Sequence, residues 1–324
     1  MQTEIGTNIN IAKELLNRGE LVSIPTETVY GLAANACNPD AVIKIFEAKN
    51  RPHFNPLIVH TKSWSAAMQY TQQVPATAHL LAAQFAPGPL TFLLTKQNNI
   101  PDLVTAGSSL VAIRVPNHPM TLDLLKQLDF PLAAPSANQF GYISPTTASH
   151  VLDSLNGKIN YILDGGQTVV GLESTIIGFD EAENVLVHRV GGIAIEDIEK
   201  AIGKKVLMAN ENKQNKPQTA GQLKSHYAPD TPLYIGDIEE LYLNNKDKKI
   251  ALISLSNPYN HLNIAHRFPL SLSGNLKEAA QKLFAVLRQI DELDVEIIFA
   301  EKFPDEGLGI AINDRLSRAQ AIFK

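Results

Sequence analysis

The chain has 324 residues, 44% hydrophobic and 19% charged, with a formal net charge of −5 at pH 7. That length suffices for two domains, and the composition is ordinary for a globular protein. A mildly acidic balance argues against a dedicated RNA-coating role but leaves room for a local basic groove. The single cysteine, Cys37, excludes a disulfide within the chain and a cysteine-based zinc site, and is expected to be a small buried apolar residue. No charged-then-apolar leader pattern opens the sequence, and no apolar run approaches the ~20 residues of a membrane helix, so a cytoplasmic protein with no membrane contact is expected.

Residues 8–18 read as a short helix with Ile9, Ile11, Ala12, Leu15 and Leu16 near helical spacing, ended by Gly19. A strand over 21–24 stops at Pro25, before the polar cluster Thr26, Glu27 and Thr28. A second helix runs from about Pro39 to Lys49, its buried side being Ile43, Ile45, Phe46 and Ala48. Residues 57–59 are strand, 75–86 helix, and Pro87, Gly88 and Pro89 break the chain. Strands follow at 91–95 and 110–115, then a helix to Leu128 capped by Asn117 or His118. A short buried run over 132–134, a helix over 146–155, strands over 161–163, 174–177 and 185–189, and a helix over 195–202 complete this half. Alternating strands and helices predict an α/β or mixed sheet with helices packed on it.

Residues 204–231 are rich in Lys, Asn, Gln and Pro and read as a linker. Beyond it come strands over 233–235, 250–254 and 295–300, an amphipathic helix over 276–290, and a terminal helix over 309–321 bearing Arg315 and Arg318. That order predicts a small parallel α/β domain.

Neither a phosphate-binding P-loop nor a dinucleotide-binding glycine motif is present, so any bound phosphate must be met by side chains. Lys49 and Arg51 suit that task, a planar guanidinium adding bidentate geometry. Taken alone, they equally describe a solvated helix end offsetting the helix dipole. Arg114 at a strand end suits a carboxylate ligand, and a surface ion pair is the plain alternative. The turn Pro135, Ser136, Ala137, Asn138 lets a ligand approach the backbone, or is an ordinary Asx-type turn. Gly191 and Gly192 read as the turn before a helix.

In order, the blocks P-T-E-T-V-Y-G-L, K-N-R-P, N-P-L-I-V-H, P-G-P-L-T, R-V-P, A-P-S-A-N, E-S-T-I-I and the pair Arg189 and Gly191 run from Pro25 to Gly191. This succession resembles the threonylcarbamoyl-AMP synthase family, whose fold is called YrdC-like. Residues 225–229, S-H-Y-A-P, and the block G-L-G-I-A-I-N-D-R-L-S-R-A resemble the linker and C-terminal domain of its two-domain form. His53 and Phe54 are bulkier than the family's usual small residues there.

The resemblance implies a YrdC-like twisted mixed sheet over 1–203, a linker or lid over 204–231, and a Rossmann-like α/β domain over 232–324. It implies that L-threonine, bicarbonate and ATP become threonylcarbamoyl-AMP and pyrophosphate. A downstream transferase machinery would carry the group to adenosine 37 of tRNAs reading ANN codons. It assigns Thr28, His60, Arg114, Ala134 and Ser174 to L-threonine. It assigns Arg51, Asn55, Leu110, Ser136, Ser144, Arg189 and Tyr227 to ATP. Leu110 and Ala134 would act through backbone groups. Lys49 and Arg51 are the expected catalytic cations, with no metal ligand in the chain and Mg2+ held mainly by phosphates. Tyr227, near the end of the polar segment, suggests a lid that excludes water from a reactive adenylate. Direct tRNA contact is expected to be weak, and a double-stranded RNA-binding module without adenylate synthesis is the other reading.

Overall fold

The computed structural model describes residues 2–209 and 227–320. Eleven strands form one mixed sheet. From edge to edge they are Glu4–Gly6, Tyr161–Leu163, Val22–Ile24, Gly31–Asn35, Leu132–Ala133, Ile58–His60, Leu110–Arg114, Leu90–Thr95, Thr175–Phe179, Val185–Arg189 and Leu207–Met208. Successive side chains of a strand face opposite ways, and here the two faces enter different cores. Leu32 and Ala34 join Phe46, Val151 and Ile159 on one side, while Ala33 joins Leu16, Val22 and Leu124 on the other. Helices Pro39–Lys49 and Ala148–Leu155 cover the first face, and Ile9–Asn17 and Pro119–Lys126 the second.

Local chemistry sets the helix ends. Asn38 caps the helix Pro39–Lys49, its side chain accepting from the N–H groups of Asp40 and Ala41. Asn50 ends it in the left-handed conformation at φ 51°, which Asn tolerates better than most residues. That cap turns the chain so that Arg51 follows directly on a helix C-terminus.

A second sheet is fully parallel, in the order Leu233–Ile235, Ile297–Ala300, Ile250–Ser254, His266–Pro269. Helices Leu276–Asp291 and Leu308–Gln320 contribute Leu283, Phe284, Ile312 and Leu316 to its core. The same core takes in Val29, Ile143 and Leu172 from the first half of the chain. The expected architecture is therefore found: a twisted mixed sheet with flanking helices, and a small parallel α/β unit.

Several local expectations are corrected. Cys37 is exposed, because it lies in the turn before the helix, its N–H donating to Asn35 Oδ1 at 2.9 Å. Ile43 is 37% exposed, while Ala41, Val42, Ile45 and Phe46 face inward. His118 precedes its helix without a side-chain cap bond. Leu207–Met208 extends the large sheet beside Val185–Arg189, so the start of the expected linker is strand. Residues 210–226, and with them most of the expected linker and lid, lie outside the described residues.

Candidate active site

A small apolar cluster of Ile58, Leu93, Ala112 and Ile176 occupies one face of the central strands. Alternation puts His60, Arg114 and Ser174 on that face too, each two residues from a cluster member. A cavity of about 50 Å³, open to solvent, lies there. Of the residues assigned from sequence, Thr28, Arg51, His60, Arg114, Ala134, Ser136, Ser174, Arg189 and Tyr227 line it. Thr26, Val29, Gly31, Ile58, Pro135 and Glu173 line it as well.

The remaining assigned residues are placed differently. Lys49 is buried, and its Nζ donates to the Ser136 carbonyl at 2.5 Å and to the Asn138 carbonyl. Burial, and then Arg51, hold its pKa well below the usual lysine value. Lys49 thus ties down the turn 136–138, and it does not line the cavity. Ser144 donates to Glu173 Oε1 at 2.5 Å. Asn55 is fully buried, and its amide nitrogen and oxygen make no hydrogen bond among the described residues. Leu110 lies at the opposite end of its strand from Arg114, packed against the apolar cluster.

Three buried guanidinium groups give the cavity its positive character. Arg51 donates through Nε to the Asn55 carbonyl at 3.2 Å and through Nη2 to the Pro56 carbonyl at 2.9 Å. Burial, with Arg189 nearby, pulls it down to about 9, and it stays charged at neutral pH. Arg189 donates to the Ser174 carbonyl through Nε at 3.1 Å and Nη2 at 2.9 Å, and through Nη2 to Ser174 Oγ at 3.1 Å. Arg114 donates through Nε to the Gly88 carbonyl at 3.2 Å. Its Nη2 lies 2.8 Å from Glu27 Oε2 as an ion pair, at an angle short of a hydrogen bond. His60 is kept neutral: burial and the adjacent Arg114 push it down to about 3. Its Nδ1–H donates to the Ile58 carbonyl at 3.2 Å.

Hydroxyl groups fill the space between the cations. Thr26 and Thr28 share a hydrogen bond of 2.8 Å, as do Thr91 and Ser174 at 2.7 Å. Gly31 leaves the floor open, since a Cβ there would sit 3.2 Å from that of Ala134. Opposite, Glu173 is buried with Arg315 Nε donating to its Oε2 at 2.8 Å. Burial alone would raise its pKa, and Arg315, Arg189 and the bond from Ser144 bring it below the usual range. Sequence reading noted Arg315 as part of a terminal helix and found no signal tying it to the site, because its partner stands 142 positions away. The result is a net-cationic cavity suited to anionic groups such as carboxylates and phosphates. Among the described residues no group of three or more His, Cys, Asp or Glu could hold a metal ion.

A family model described as "Telomere recombination" matches residues 14–191, and the threonylcarbamoyl-AMP synthase C-terminal domain matches 193–321. The chain is 40% identical to the threonylcarbamoyl-AMP synthase of Pyrococcus abyssi, over 96% of this chain and 93% of that one. It is 41% identical to the Bacillus subtilis threonylcarbamoyl-AMP synthase, over 98% and 94%. A crystal structure of P. abyssi Sua5 complexed with L-threonine superposes with a TM-score of 0.90 at 39% identity, covering 96% of this chain and 94% of that one. The E. coli YciO structure shares the fold of the first half, with a TM-score of 0.51 at 21% identity, covering 58% of this chain and 96% of that one. With both family models matched in order and relatives aligned over nearly their whole length, the chain belongs to the threonylcarbamoyl-AMP synthase family.

Proposed function

We propose that this protein is an L-threonylcarbamoyladenylate synthase, condensing L-threonine, bicarbonate and ATP into threonylcarbamoyl-AMP, pyrophosphate and water. The observation that carries this is the convergence of Arg51, Arg114 and Arg189 with Thr28, His60 and Ser174 on one cavity. In this reading Arg114 takes the threonine carboxylate, beside Thr28, His60, Ser174 and the backbone at Ala134. Arg51, Asn55, Ser136, Arg189 and Tyr227 serve ATP; the Asn55 amide, which has no hydrogen-bond partner among the described residues, is the one of these that does not line the cavity.

The amine of threonine condenses with bicarbonate, releasing water and leaving a carbamate. A carbamate oxygen then attacks the α-phosphorus. The bond from that phosphorus to the bridging oxygen breaks, and pyrophosphate leaves with the electron pair. Arg51 and Arg189 meet charge that grows on the phosphates during this step. His60, held neutral, adds no competing cation beside Arg114. Catalysis is then positioning and electrostatic stabilisation, with no covalent enzyme intermediate. Lys49 acts at one remove, by fixing the turn at Ser136. Mg2+ enters with the substrate as MgATP, held through the phosphates.

We divide the chain into a catalytic domain to about residue 203, a connecting segment over 204–231 and a C-terminal domain over 232–324. The product feeds a tRNA threonylcarbamoyl transferase machinery in the cytoplasm, for tRNAs that read ANN codons. Pyrophosphate release tests the reading. It is expected only when ATP, L-threonine and bicarbonate are all present, and equal release without threonine would reject it.

A further inference from the structure

Arg315 belongs to the C-terminal helix Leu308–Gln320, yet its guanidinium lies against the wall of the cavity. It is 1% exposed. Nε donates to Glu173 Oε2 at 2.8 Å, and Nη2 donates to the Val190 carbonyl at 3.0 Å. Nη1 donates to Asp314 Oδ2 at 2.6 Å. Its carbon lies 5.0 Å from the centre of the Tyr227 ring, which stacks on Phe284 at 5.6 Å. Nothing in the reaction derived above uses this group.

Two of those partners adjoin residues that line the cavity. Glu173 precedes Ser174, and Val190 follows Arg189. Ser174 and Arg189 are themselves joined by three hydrogen bonds. The other oxygen of Glu173 accepts from Ser144. A single planar group therefore spans the start of one strand, the end of the next and the ring of Tyr227.

We infer that Arg315 is a positioning residue for the nucleotide side of the site, through which the C-terminal domain completes the catalytic cavity. Only a guanidinium has the donors and the rigid fork to hold a carboxylate and a carbonyl together while its face covers a ring. Without it, Glu173 is left as a buried carboxylate that still feels the charge of Arg189. That carboxylate draws the Arg189 guanidinium toward itself and away from phosphate. The inference deepens the proposed function and rests on it.

The test compares full-length wild type with Arg315→Met, Arg315→Lys and Glu173→Gln/Arg315→Met. The measurements are thermal midpoint, kcat and KM for ATP and for threonine in pyrophosphate release, and MgATP affinity by calorimetry. Arg315→Met should lower kcat/KM for ATP by on the order of a hundredfold, the scale of a one-ångström misplacement. The KM for threonine should move far less. Removing the Glu173 charge as well should recover at least tenfold, since no stranded carboxylate then competes for Arg189. A kcat/KM for ATP within twofold of wild type in Arg315→Met overturns the inference. So does a loss that the double variant fails to recover, or one shared equally by both substrates. If Arg315→Met does not fold, Arg315→Lys decides: reduced MgATP affinity at an unchanged thermal midpoint supports positioning, and unchanged affinity overturns it. A wild type without threonine-dependent release would reject the proposed reaction instead, and MgATP calorimetry on the variants would still report on Arg315.

Discussion

Arg114 and Glu27 are each 4% exposed, and their ion pair lies beside the cavity that Arg114 lines. Glu27 Oε2 also accepts from the Asn117 N–H at 2.9 Å. The pair orients the guanidinium before any ligand arrives, and a guanidinium has donors enough for a second carboxylate. Removing one member of a buried pair strands the other charge, at a cost of about 3–5 kcal/mol. Arg114→Met should therefore lower stability by roughly that amount and also abolish measurable threonine binding. Glu27→Gln/Arg114→Met should recover most of the stability and none of the threonine affinity. Denaturant unfolding and threonine calorimetry on the two variants separate these effects. Threonine affinity that survives in Arg114→Met would remove this residue from the carboxylate site. Arg114 was legible in the sequence as a cation ending a strand, but its buried partner was not. Glu27 lies 87 positions earlier in a polar cluster, where no spacing rule joins the two. Lys49 shows the opposite case. Its spacing from Arg51 suggests two cations on one anion, whereas the helix cap at Asn50 sends them to different partners.

At the scale of elements, strands rich in β-branched or larger apolar residues could be read directly, as in Leu110–Arg114 and Val185–Arg189. The strand Gly31–Asn35 could not, because Gly, Leu, Ala, Ala and Asn have little strand propensity. Its small residues answer to tertiary space beside Ala133 and Ala134, which a propensity rule does not see. Gly191 is a second such case. Read from sequence, it is the turn before the helix Ile195–Ile202, as found, but no spacing shows its contact with another strand. In the structure a Cβ on Gly191 would overlap the Glu173 carbonyl oxygen and lie 2.5 Å from the Ser174 carbonyl carbon. The glycine thus lets the chain leaving Val185–Arg189 press against the start of Thr175–Phe179, setting Arg189 beside Ser174. Gly191→Ala should push these segments apart, destabilising the protein by about 1–3 kcal/mol, the usual cost of overpacking. Because Ser174 and Arg189 face the cavity, kcat/KM for both ATP and threonine should fall by at least about tenfold. A variant destabilised to this degree with unchanged kinetics would show that the close approach serves packing alone.

The whole molecule has two sheets, but its cores are not separate. Val29, Ile143 and Leu172 belong by sequence to the first half and are buried in the core of the second sheet. Full burial of such side chains contributes about 1.5–3 kcal/mol each. Polar ties cross the same boundary: Arg288 Nη2 donates to the Ile143 carbonyl at 2.6 Å, and Gln281 Nε2 to the Thr168 carbonyl at 3.2 Å. Gly171, at φ +78°, admits the helix Leu276–Asp291 so closely that a Cβ would lie 2.5 Å from Gln281 Cα. Pulling the halves apart exposes these apolar groups and strands Glu173 and Arg315 at once. The full chain should therefore melt in one calorimetric transition, with calorimetric and van't Hoff enthalpies in agreement, although chains with two domains often fail that test. A fragment ending at residue 209 should melt at a lower temperature, if it folds at all. Each kcal/mol lost moves the midpoint by about 2–4 °C in a domain of 150–250 residues. Two resolved transitions in the full chain, one of them at the fragment's own midpoint, would show that the shared core does not couple the halves.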